Sequence, residues 1–492
     1  MAKKLKVLNL SKCKKLVVAP DFSHFVHLER LIISKCKSLV EIHPSIGKLK
    51  MLIILNLKHC KELRRLPEGI ADLGNLKQFL LDESGVLKFP DWGTSRPSGS
   101  IQSLTKLDCR GAQIVELCRF IGVLKSLEVL RLTHCKSLTR LPDEIGELTS
   151  LTVLNVSHSS VEELPKSIGC LTNLKILQAS FTSIKKLPAT IRKLTNLEEL
   201  HCFSTPLEGK LPPGLKKLKS LKTLRCTETS ISSVPRLPSN LTTLEISSKC
   251  LQVIPDLREL SDLKLLDLNI DTSEPELSDT TGPSWMGMLQ KLETLTFSMP
   301  HVVALFPDIG GLPLLKIVVL SNCKNLRDIP RLPSCIKTLD IQGCPSLISM
   351  PDLENMKSMT TLKIEGCSVE EVRGSEQLES LTDLRITMCH SLRRIPDLSG
   401  LTKLKELTLS SCSKLVRLQG RTDSLRTLLV MNCPSLTRLP DLRQFPALKN
   451  LVVYKCPKIR DIKEFAELKT SVNVHFPPRK GNENEFEGNI VR

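Results

Sequence analysis

Leucines recur along the chain in one spaced frame with polar residues between them. In residues 127–151, LEVLRLTHCKSLTRLPDEIGELTSL, Leu127, Leu130 and Leu132 set an L-x-x-L-x-L frame in which Leu130 and Leu132 alternate with Val129, Arg131 and Thr133. Period-two alternation over so few residues predicts a short strand that turns its leucines inward and the residues between them to solvent. Cys135, Leu138, Leu141 and Ile145 continue the inward set, Pro142 stops strand pairing, and Asp143 stands where it could cap a short helical turn. The frame then restarts at Leu151.

The same frame opens twenty times between Leu5 and Leu448, at spacings of 20 to 29 residues. A unit this small cannot bury its own apolar face, but stacked units share one continuous core. The predicted fold is therefore α/β, a leucine-rich-repeat solenoid or horseshoe, with a parallel concave β-sheet and short helical or irregular convex segments. The frame predicts a solenoid over residues 1–476, with irregular inserts near 91–103 and 271–287, followed by a disordered polar tail at 477–492. Both tryptophans, Trp92 and Trp285, fall in the inserts.

Composition sharpens this picture. The chain is 41% hydrophobic but only 3% aromatic, which fits a core built of leucine. A net charge of +18 would suit nucleic acid or an anionic membrane, yet the lysines mostly sit beside inward leucines, as in Lys216 and Lys217 between Leu215 and Leu218. Without interleaved aromatics or a recognition module, no nucleic-acid partner is expected. Of the 18 cysteines, eleven lie eight residues after the first leucine of their repeat, from Cys13 and Cys36 to Cys433 and Cys456. Other repeats put Ser84, Ala112, Ser159, Thr182, Thr205 or Thr229 there, so the slot wants low volume and a weak hydrogen bond. That is a packing role for a thiol, with no disulfide and, in the absence of C-x-x-C, no metal.

No run approaches the length of a membrane span, and Asn9 and Ser11 break the apolar core that a signal peptide would need. No membrane association is expected, and the compartment predicted is the cytoplasm, with the nucleus admitted. The sequence holds no G-x-x-x-x-G-K-[ST], G-x-S-x-G or H-E-x-x-H. The expectation is a non-enzymatic protein with no cofactor and no small-molecule substrate.

Residues 18–67 carry a more specific signal. Pro20 to Ser23 read P-D-F-S, Cys36 to Leu39 read C-x-x-L, Glu41 to Gly47 read E-I-H-P-S-I-G and Leu55 to Cys60 read L-N-L-x-x-C. In this order the phrases resemble the early repeats of plant intracellular immune receptors of the Toll/interleukin-receptor-type nucleotide-binding leucine-rich-repeat family. LPDEIGELTSL at 141–151 and LPKSIGCLTNL at 164–174 suit the same class. The resemblance implies a sensor region that binds a pathogen effector or a host protein, lacking the signalling and nucleotide-binding domains that precede the repeats in that family. The alternative is a general scaffold for a host complex, such as a ubiquitin-ligase or receptor partner, without a pathogen-sensing role.

Exposed positions of the predicted sheet are mostly small or polar. Repeats six to nine depart from this, placing His134, His158, Phe181, His201 and Phe203 at equivalent or neighbouring outward positions. Aromatic side chains on a rigid sheet offer contact area at small entropic cost, so these five are the first candidate partner-binding residues. Trp92 and Trp285 are the second.

Overall fold

A computed structural model describes residues 4–90, 101–251, 255–271, 283–305, 307–374, 377–459 and 473–475. The chain forms two compact units, Met1–Leu263 and residues 264–492. Both are stacks of coils, each coil contributing one strand to a parallel sheet.

In the first unit the strands begin with Val7–Asn9 and Arg30–Ile32 and run through Val129–Arg131, Val153–Asn155, Ile176–Gln178 and Glu199–His201 to Thr223–Ser233 and Thr243–Ser248. Neighbours pair in sequence order and in register, so that Leu107, Leu130, Leu154, Leu177 and Leu200 line up across five strands. All five are buried, which makes the register a direct consequence of the leucine frame. The slot eight residues after the first leucine is buried as well in the coils from Cys36 to Thr229. There the Cys60 thiol donates to the Ile33 carbonyl at 3.0 Å, the Cys135 thiol to the Cys109 carbonyl at 3.0 Å, and the Thr182 hydroxyl to the Ala179 carbonyl at 2.7 Å. All the cysteines are free, and burial pushes the Cys60 thiol up to about 11 and the Cys135 thiol up to about 12.

From Lys12 to Glu228, each coil leaves its strand through a residue with positive φ. His134 (61°), His158 (56°) and Phe181 (54°) occupy this position, as do Lys35, His59 and Ser204, and glycine takes it at Gly111. The turn keeps the hydrogen-bond ladder unbroken: the N–H of His134 donates to the Ser157 carbonyl at 2.9 Å, that of His158 to Ser180 at 2.8 Å and that of Phe181 to Phe203 at 3.0 Å. A left-handed conformation costs an L-residue about 1 kcal/mol or more, and the ladder bond formed in every coil offsets it.

The outer side of the first unit is built of short 3₁₀ turns, among them Pro44–Lys48, Asp143–Glu147, Lys166–Cys170 and Ala189–Lys193. Pro142, and not Asp143, holds the start of its turn; no side chain caps it, and Asp143 sits inside the first turn. The glycines of these turns are set by space. A Cβ on Gly146 would lie 2.6 Å from the Ser167 carbonyl oxygen, and one on Gly169 would lie 2.6 Å from that of Thr190.

The second unit repeats the plan with strands of five or six residues, from Leu265–Ile270 through Asp383–Thr387 to Asn450–Tyr454. A further strand, Asn473–His475, pairs in register with Asn450–Val452 and extends the frame past Leu448. The expected tail at 477–492 lies outside the described residues. So do residues 91–100 and 272–282, the greater part of both inserts.

Candidate functional site

The turn ladder carries the side chains that the sequence singled out. Stacked coils bring equivalent residues within about 4.8 Å of one another, so rings at one register must lie face to face. His134 and His158 stack with centroids 4.3 Å apart and planes 16° apart, and His158 and Phe181 with 4.2 Å and 13°. Phe203 sits one residue earlier in its coil, and its ring meets Phe181 edge-on at 5.2 Å and 81°. Four rings from four coils thus form one column along the concave face. Self-stacking does not cover it, because Phe181 keeps 44% of its surface exposed. Burial, then the charges of His134 and Lys136, lower the His158 pKa below its ordinary value, so the middle of the column favours the neutral ring.

His201 does not join the column. Its ring is buried within the strand Glu199–His201 and meets the Glu199 carboxylate at 3.0 Å. It lies at a strand position, three residues before the turn, which is why it supports the sheet and does not project from it. Trp285 is also a correction. It is buried in the 3₁₀ turn Ser284–Met288, with Met286 and Gly287 at the places that Ile145 and Gly146 hold in the first unit, and so it belongs to the core and not to a partner anchor. Trp92 lies outside the described residues.

Two further features were not singled out in the sequence. Beside the column, Asp108 is fully buried and pairs with Arg110 at 2.9 Å and Arg131 at 3.6 Å, while Asp82 pairs with Arg110 at 2.7 Å and Lys58 at 3.1 Å. These residues come from four consecutive coils and fix the polarity of the concave face where the rings begin. In the second unit, Met388 at the turn position is 52% exposed and Tyr454 is 41% exposed, the latter beneath the Lys455 ammonium at 5.2 Å. A single exposed Met or Tyr in a polar stretch carries no periodic signal, so only the fold shows that they face outward on the same side of their coils.

Among the described residues no group of three or more His, Cys, Asp or Glu is placed to hold a metal ion, and no helix is long and apolar enough to cross a membrane.

The sequence profile of the leucine-rich repeat region family matches residues 108–234 and 154–342, the stretches that contain the ring column and its neighbouring coils. The chain carries a leucine-rich repeat region. A leucine-rich-repeat protein of Leptospira interrogans has the same fold, with a TM-score of 0.57 and 23% identity over 82% of this chain and 89% of that one. TMV resistance protein N of Nicotiana glutinosa is 36% identical over 148 residues, 29% of this chain and 12% of that protein. Protein SUPPRESSOR OF npr1-1, CONSTITUTIVE 1 of Arabidopsis thaliana is 28% identical over 398 residues, 80% of this chain and 22% of that protein. Disease resistance protein RPP2A of Arabidopsis thaliana is 34% identical over 139 residues, 28% of this chain and 10% of that protein. The matched stretches thus span less than a quarter of each of these relatives. The leucine-rich repeats form a protein-interaction module similar to the repeat regions of plant disease resistance proteins, the class to which the phrases between Pro20 and Cys60 point.

Proposed function

We propose that the leucine-rich repeats recognise a protein through the concave face of the first unit, in the manner of the sensor region of an intracellular plant immune receptor. The observation that carries this reading is the ring column His134, His158, Phe181 and Phe203, which leaves Phe181 44% exposed after every internal contact is made. Rigid exposed aromatics flanked by fixed charges are the composition of an interface centre, where few residues supply most of the binding energy. The partner is a pathogen effector or a host protein, and the compartment is the cytoplasm or nucleus. Catalysis, a cofactor and a nucleic-acid partner have no place in this reading.

The test is the double substitution Phe181→Ser with Phe203→Ser, assayed for partner capture from plant extract with and without pathogen, alongside a thermal melt. Loss of a captured pathogen protein with an unchanged melt supports the sensor reading. Loss of a host complex component that is captured equally without pathogen favours the scaffold alternative. Unchanged capture with a lowered melt removes the column from recognition altogether.

A further inference from the structure

The net charge of +18 is spread along the chain, and one cluster of it lines a cleft. After the Cys slot in two consecutive coils of the second unit, the segments SLRRIP (residues 391–396) and KLVRLQ (residues 414–419) cross the flank of the stack. Leu392 and Leu415 are buried and anchor the two segments, leaving Arg393, Arg394, Lys414 and Arg417 exposed side by side. Short bridges, Glu371 to Arg394 and Arg417 to Arg438, hold the backbone of this flank in place. The four cations line a cleft of about 650 Å³, with Ile395, Val416 and Gln419 between them.

Several other arginines of this unit are paired: Arg385 with Asp383 and Glu406, Arg421 with Asp423, and Arg443 with Asp441. In the cleft, no carboxylate pairs with any of the four cations among the described residues, and the neighbouring Glu371 is engaged by Arg373. Like charges gathered in one concavity repel each other and gain nothing from folding, so a cleft kept this way is complementary to an anion from outside. Guanidinium groups suit phosphate in particular, through paired N–H donors. The lining has no aromatic face on which a base could stack, and only two apolar side chains, which disfavours single-stranded nucleic acid and a lipid surface.

We propose that this cleft binds a small soluble molecule carrying several phosphate groups, with Arg393, Arg394, Lys414 and Arg417 as its ligands. The site is on the flank of the second unit and independent of the ring column. The probe is inositol hexakisphosphate, titrated calorimetrically into the whole chain at physiological salt. Saturable binding is expected, with Arg394→Gln plus Arg417→Gln weakening it about tenfold or more. The control Lys14→Gln plus Lys15→Gln removes the same charge from an exposed segment of the first unit and is expected to change affinity less than about twofold. All four positions are exposed, so both variants should melt like the parent. Three results would overturn the proposal: no saturable heat, equal weakening by both variants, or capture by phosphoinositide vesicles without binding of the soluble probe. An RNA oligonucleotide that binds as tightly as the probe, and is unaffected by the cleft variant, would likewise assign the charge to a diffuse surface.

Discussion

The two units share one inward frame and differ in how each coil closes. Among the described residues of 1–263 seven coils close through a five-residue 3₁₀ turn, and at Gly47, Gly122, Gly146 and Gly169 an added Cβ would meet the next coil. In residues 264–492 such turns occur at Ser284–Met288 and Pro307–Gly311, and thereafter, among the described residues, only three-residue turns at Leu398–Gly400 and Leu442–Gln444 remain. There the start is capped by a carboxylate, with the backbone N–H of Ser399 donating to Asp397 at 2.8 Å and that of Arg443 to Asp441 at 3.0 Å. The strand side keeps the parallel register and, in most coils, the left-handed turn residue, while the strands lengthen from three residues in most of the first unit to five or six in most of the second. What the comparison teaches is a division of labour: the leucine frame and the turn residue define the sheet face, and the outer segments can vary because they touch only their neighbours.

The largest expected effect tests the shared half of that statement. Leu384 is fully buried, with Leu362 and Leu407 opposite it on the adjoining strands. Leu384→Asp buries a carboxylate without a partner and should cost ~4 kcal/mol or more. Hydrogen exchange should show protection lost from Thr361–Glu365 to Glu406–Ser410, while strands of the first unit such as Val153–Asn155 keep theirs, because repeats couple chiefly to their neighbours. Uniform loss along the chain would contradict local coupling.

A smaller effect tests how closely the outer turns approach the next coil. Gly146→Ala drives a methyl into the backbone of the next coil and should lower stability by about 1–3 kcal/mol. Gly310 approaches the next coil as Gly146 does, with an added Cβ 2.7 Å from the Arg331 carbonyl oxygen, whereas Gly311 beside it has nothing within 4 Å, and Gly311→Ala should change stability by less than about 0.5 kcal/mol. Chemical denaturation of the two variants reads both. Equal losses would mean that close approach to the next coil does not set the cost.

The inward frame, the parallel register and the Cys slot were all legible in the sequence, because each is a periodic demand for low polarity or low volume. The turn residue was not. Lys35, His59, Glu83, Phe181 and Met388 share no chemistry, and what they share, a positive φ, is imposed by the ladder bond to the next coil. For the same reason the sequence grouped His201 with the rings: its type matched, but its place three residues earlier put it in the strand. Trp285 was set in an insert because the spacing of 29 residues hid an ordinary turn, PSWMGML at residues 283–289, which follows the pattern of PDEIGEL at residues 142–148. The basic cleft escaped notice because its charges come from two coils and meet only when these stack.

The smallest effect concerns pH. The His158 imidazole is held below 6.5 by burial and by the charges of His134 and Lys136, so the folded chain binds fewer protons there than the unfolded chain does. Its contribution to stability is complete above 6.5 and is lost as pH falls from 6.5 through the lower folded value. The melting temperature should therefore fall on acidification by slightly more in the parent than in His158→Phe. Identical pH profiles would show that the column imposes no cost on the charged ring.

Phe181 and Met388 offer the most direct test, because they occupy the same turn position in the two units and are 44% and 52% exposed. A photo-crosslinking side chain placed at each in turn, with products identified by mass spectrometry, compares the two faces without perturbing the fold. Recognition by the first unit requires one specific protein adduct at position 181, absent at position 388 and abolished when His158 and Phe203 are replaced by Ser. A specific adduct at position 388 with none at 181 would move recognition to the second unit and leave the ring column a structural stack.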